Sequence, residues 1–125
     1  RGEPLIAAML GHALIASEDS KNFAEAKQVL KNAVNRDNDN PFAWYQLGVV
    51  YAASGDMARA RLASAEQQVM NRQYPLALRS AQAAEAQLPH GSPDWLRAQD
   101  IAMEARALME QLCEMDRAEC DDRRR

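Results

Sequence analysis

The stretch Trp44-Tyr45-Gln46-Leu47-Gly48-Val49-Val50-Tyr51, with Gly55-Asp56 and Ala60 behind it, decides the fold. Positions 44, 47, 48 and 51 follow the three- and four-residue spacing of one helix face, and Ser54-Gly55-Asp56 then closes one helix and caps the next. Sliding the chain against itself aligns Leu10 with Trp44, Leu14 with Gly48, Phe23 with Met57 and Ala26 with Ala60, each pair 34 residues apart. An offset of that size is the period of a two-helix unit that cannot cover its own apolar stripe and must stack on the next.

Outward from this stretch, breaker and cap residues divide the chain into six helical segments. The first runs from about Glu3 to Ser17, and the second, capped by Asp19-Ser20, from Lys21 to about Asn35. Asn40 caps and Pro41 opens the third, which ends near Ala53; the fourth runs to about Arg72. A fifth spans about Tyr74 to Leu88 and is stopped by Pro89-His90-Gly91. Ser92 and Pro93 open a long sixth segment reaching about Glu119, which reads as a terminal capping helix. The domain is expected over residues 1–119, with 120–125 a frayed charged tail.

Composition agrees with an all-α fold. Alanine occurs 24 times against five Val, three Ile and no Thr, and alanine favours helices whereas β-branched residues favour strands. At 125 residues the chain has room for one core. Its 15 basic and 18 acidic residues are interspersed, which leaves no broad positive field and makes nucleic acid an improbable partner. The longest apolar run, Leu5 to Leu10, is far short of the roughly 20 residues of a membrane-spanning helix. Cys113 and Cys120, seven apart in a continuous helix, would lie about 10 Å from each other, beyond disulfide reach, and so say little about redox compartment.

The repeat is not perfectly regular. Trp44 to Trp95 and Ala26 to Ala77 are both 51 residues apart, one unit of 34 plus a half-unit of 17, so one helix is extra. The fourth segment must then be second partner of the third helix and first partner of the fifth.

These residues resemble the tetratricopeptide-repeat signature: Trp44, Leu47, Gly48, Tyr51 and Ala60 in one unit, Tyr74, Ala77, Ala81, Ala84 and Pro89 in the second helix of another, then Trp95. The resemblance implies a right-handed α-solenoid of about six antiparallel helices, whose small residues let backbones approach. It also implies a concave face that takes a protein or peptide, expected here from Phe42, Tyr45, Gln46, Val49 and Ala52 of the third helix with Ala8, Gly11 and Ile15 of the first. That face offers no cationic fork for a terminal carboxylate.

Reactive chemistry is not legible. His12 and His90 belong to no His-Glu-x-x-His helix or zinc-spaced Cys/His pair, and the serines sit at caps or in Ala-rich helix without a paired base. Five scattered glycines form no phosphate loop, and the six methionines read as gap-fillers. No catalytic residue, metal site or cofactor is expected in this chain.

A second, narrower resemblance lies in Leu62-Ala63-Ser64-Ala65-Glu66, in Tyr74-Pro75-Leu76-Ala77-Leu78-Arg79-Ser80-Ala81, and above all in Gly91-Ser92-Pro93-Asp94-Trp95-Leu96-Arg97-Ala98-Gln99-Asp100-Ile101. Together these are similar to the C-terminal repeat region of bacterial M48-class zinc metallopeptidases. The resemblance implies a catalytic, zinc-binding domain upstream of Arg1, a periplasmic location, and partners among the upstream protease domain or outer-membrane assembly proteins. Two alternatives stay open: a structural segment packed against its own protease domain, and a scaffold of an unrelated secretion or pilus system.

Overall fold

The computed structural model describes residues 20–124. They form α1 (Ser20–Arg36), α2 (Pro41–Ala53), α3 (Met57–Met70), α4 (Tyr74–Gln87), α5 (Pro93–Met115) and α6 (Arg117–Arg124). The first expected segment, with Ala8, Gly11, His12 and Ile15, lies outside the described residues. Each helix from α1 to α5 packs on its successor, and α3 also touches α5 directly.

Local chemistry sets the boundaries. The Asn40 side chain accepts from the Ala43 amide with Pro41 in the first turn, Asp56 accepts from Arg59, and Ser92 accepts from Trp95 ahead of the long α5. Two exits share one design. After α2, Gly55 adopts φ 84° and the Asp56 amide donates back to the Tyr51 carbonyl; after α3, Arg72 adopts φ 59° and the Gln73 amide donates back to Gln68. Both turns end a helix by placing one residue in the left-handed region.

The core has two parts that meet on α3. Ala26, Leu30 and Val34 of α1 join Ala43, Leu47, Val50 and Tyr51 of α2 and reach Ala60 of α3. Leu62 and Ala65 of α3 face the other way, into Ala77, Ala81 and Ala84 of α4 and Ala98, Ile101, Ala102 and Ala105 of α5. At about 100° per residue, positions 60 and 62 point to different sides, so α3 serves both neighbours as its sequence position demands. The alanine rows of α4 and α5 are all at most 2% exposed, and side chains this small let the two axes come close.

The C-terminus differs from expectation. The helix does not run on to Glu119 but breaks at Asp116 (φ −136°, ψ 77°), and residues 117–124, including most of the expected tail, form α6. That break folds the chain back, so Cys113 and Cys120 stand 4.9 Å apart at Cα and are joined in a disulfide. The distance inferred for them held only for an unbroken helix.

Gly48 sits where α2 crosses α3, and a Cβ added there would meet the Ala60 carbonyl and Ala63 Cβ at 3.5 Å, ordinary contact. The seam therefore admits alanine and nothing larger. Gly48→Ala is expected to stabilise the fold by about 0.5–1 kcal/mol through helix propensity. Gly48→Leu and Ala81→Leu should each cost about 1–3 kcal/mol by overpacking. Chemical denaturation followed by circular dichroism reads all three.

Candidate functional site

A trough of about 250 Å³ opens between α1 on one side and α3 with the first turn of α5 on the other. Its floor is Trp44, Leu47 and Tyr51 of α2, the repeat signature itself. Leu47 and Tyr51 are buried; Trp44 is half-buried, and its indole N–H donates to the Asn38 carbonyl at 2.8 Å. Lys31 and Asn35 form the α1 rim.

Ion pairs build the opposite rim. The Arg59 guanidinium reaches Asp56 and Asp94, each at 3.1 Å. The Arg97 guanidinium grips both oxygens of Glu66, at 3.0 and 2.7 Å. The Arg97 side chain is 45% exposed while that of Glu66 is only 8% exposed, so the fork supplies the hydrogen bonds that a nearly dry carboxylate needs. Hydrogen bonding to their carboxylates, chiefly Asp56 for Arg59 and Glu66 for Arg97, pushes both guanidinium pKa values up. The Arg59–Asp94 and Arg97–Glu66 pairs tie the start of α5 to α3.

The residues expected on the binding face do not line this trough. Phe42, Tyr45, Val49 and Ala52 lie on the side of α2 turned away from Trp44, Leu47 and Tyr51 by more than a quarter turn at about 100° per residue. Phe42 is 40% and Tyr45 54% exposed, Val49 is half-buried and Ala52 exposed, whereas Gln46 is buried at 4% and presents no binding surface. The trough opens on the opposite side of α2, beside α1, α3 and the first turn of α5. Gly11 and Ile15 lie outside the described residues. Of the remaining signature, Ala60, Ala77, Ala81 and Ala84 are buried, Tyr74 and Trp95 half-buried, and Pro89 exposed in its turn. His90 stacks on Trp95 with ring centroids 4.1 Å apart.

The charged rim does not stand out in the sequence. Its one signal is spacing: Arg59 to Asp94 is 35 residues and Glu66 to Arg97 is 31, both near the repeat period. A trough of this size is small for a cofactor, for which pockets of about 300–1,000 Å³ are usual, and suits one or two side chains of a polypeptide. Among the described residues no helix is long and apolar enough to cross a membrane.

Among known families, the one described as tetratricopeptide repeat matches residues 17–88, more than half of the chain. No curated protein and no solved structure matches it.

Two measurements probe the trough. Burial pushes the Tyr51 phenol above the ordinary tyrosine value, with Arg59 opposing the shift. The unfolded chain then releases this proton near pH 10 while the folded one holds it, so stability is full below that pH and falls as pH rises past it. Tyr51→Phe should flatten this alkaline loss, read as thermal midpoint between pH 9 and 11. Arg97→Met leaves Glu66 without its fork and should cost about 1–3 kcal/mol, reduced from a fully buried pair because the arginine is half exposed. Adding Glu66→Leu should recover most of that loss in urea melts.

Proposed function

Because the chain belongs to the tetratricopeptide-repeat family, whose repeats generally serve protein–protein interaction, we propose that it is the docking module of a bacterial M48-class zinc metallopeptidase acting in the periplasm. The Cys113–Cys120 disulfide carries the reading furthest, since such bonds persist in oxidising compartments, the bacterial periplasm among them. The run Gly91 to Ile101, most similar to that family's repeat region, supplies the α5 cap and the Asp94 and Arg97 ion pairs that shape the trough. In this division of labour the trough holds a side chain of a substrate or an outer-membrane assembly partner, and the catalytic domain lies upstream.

The zinc belongs to that upstream domain. The two histidines of this chain form no His-Glu-x-x-His pair, and His90 is committed to Trp95. The face carrying Tyr45, 54% exposed, favours a second role, packing against the protease domain, so that one side of α2 anchors the module and the other serves the trough.

Three observations test this reading. The full-length reading frame should encode His-Glu-x-x-His upstream of Arg1, and its absence would turn the assignment toward a secretion or pilus scaffold. Acid-quenched cells should yield Cys113 and Cys120 resistant to alkylation until reduced. Tyr45→Ala should weaken association with the upstream domain by about tenfold, and Lys31→Glu should weaken partner capture instead, both with an unchanged circular dichroism spectrum. Zinc-dependent cleavage of casein by the present chain alone would contradict the proposal.

A further inference from the structure

A second recess, of about 620 Å³, lies at the far end of the stack. Helix α5 has 23 residues and α4 only 14, so α5 outruns its neighbour by about 13 Å. Tyr74 and Pro75 at the start of α4, Met109 and Leu112 on the overhang, and Asp116 with the Cys113–Cys120 bridge line the hollow. Its outer wall therefore exists only because the chain turns back at Asp116.

The residues around that turn do not demand it. No glycine or proline lies between Pro93 and Arg125, and the run Glu114-Met115-Asp116-Arg117-Ala118-Glu119 consists mostly of good helix formers. Yet Asp116 leaves the helical region, at φ −136° and ψ 77°. An unbroken helix would pair the amides of residues 117–119 with the carbonyls of 113–115, and a break there forgoes that turn of the ladder. Aspartate suits a helix start, but a capping residue does not by itself stop a helix that meets no breaker.

Packing does not demand it either. Among the described residues α6 touches only α5 and contributes no side chain to either part of the core. Its eight residues include only Ala118 and Cys120 as apolar groups, and a helix of that length is marginal in water on its own. The bridge is what holds α6 against the overhang. Cys113 is buried on α5, and Cys120, half-buried on α6, stands 4.9 Å from it at Cα.

We propose that this disulfide is a redox modification site that sets the shape of the C-terminal helices. Oxidised, it holds the break and the recess; reduced, it lets α5 run on through residue 124 as one helix. A dithiol reductant supplies the two electrons and two protons. Its thiolate attacks the sulfur of Cys120, the more exposed of the pair, and the S–S bond breaks with Cys113 leaving and taking up a proton. The second thiol then displaces Cys120, which also leaves as a thiol, and the reductant becomes the disulfide. Seven residues apart on one helix, the two cysteines then stand about 10 Å from each other and cannot rejoin unless the helix breaks again. Asp116 and Cys120 quit the recess, which leaves Tyr74, Met109 and Leu112 on an open face. This device is separate from the trough and does not depend on the metallopeptidase reading.

Nuclear magnetic resonance of the isotope-labelled chain, oxidised and in excess dithiothreitol, tests it. On reduction the Asp116 Cα shift should move from extended to helical, and amide exchange at residues 117–119 should slow at least fivefold, while the signals of Ala77, Ala81, Ala98 and Ala102 stay in place. Cys113→Ser with Cys120→Ser should match the reduced chain without reductant. Arg117→Pro discriminates further, because proline fits the first position of α6 but removes an amide that the unbroken helix needs. It should leave the oxidised chain unchanged and abolish the response to reduction. An Asp116 shift that stays extended in the reduced chain or the double serine variant would overturn the proposal, since the break would then be intrinsic. So would coil shifts throughout 117–124, loss of the core alanine signals on reduction, or a full helical response in Arg117→Pro.

Discussion

The close approach of α4 and α5 along alanines 77, 81, 84 and 98, 102, 105 limits where every other helix can go. With alanine methyls along much of the seam, the two axes lie close, and an enlarged side chain there must push them apart. Leu62 and Ala65 press α3 onto this pair, and Ala60 on its other side receives α1 and α2. A helix of 14 residues thus has two buried sides, with its polar groups on the strips between them. One of these strips carries Arg59 and Glu66, whose ion pairs close the stack beside the trough.

Coulomb attraction between exposed charges is weak in water, so the Arg59 pairs do little for stability and serve mainly to hold the first turn of α5 in place. The Glu66 pair is different, since its carboxylate is nearly dry and would be costly without Arg97. With these groups paired to one another, the trough presents Trp44 and Tyr51 between a paired rim and Lys31 on α1. At the other end, Arg72 and Arg106 share a larger, mostly apolar recess with the carboxylates Glu110 and Asp116.

The disulfide belongs to the second recess as much as to the C-terminus. Joining residues 113 and 120 turns the chain back at Asp116 and lays α6 beside the overhang of α5, converting a bare helix end into a wall. It constrains a small loop, so in the chain-entropy account its direct contribution to stability is a few kcal/mol, about 2–3. Its larger effect is on shape.

Much was legible from residue order. The recurrence of Trp44, Leu47, Gly48 and Tyr51 with Ala60 defines paired helices, and the caps Asn40, Asp56 and Ser92 place three helix starts to the residue, because these signals act within one turn of backbone. The half-unit slip from 34 to 51 also identified the helix with two sets of neighbours. That the signature side of α2 also lines a recess was not so encoded: Trp44, Leu47 and Tyr51 read as packing residues, and Phe42 and Tyr45 as the binding face. The rim pairs and the Cys113–Cys120 bridge likewise join residues whose nearness depends on how helices cross or where one breaks. Periodicity fixes each helix's own faces, whereas the sum of all packing contacts selects which faces meet and which are left to bind.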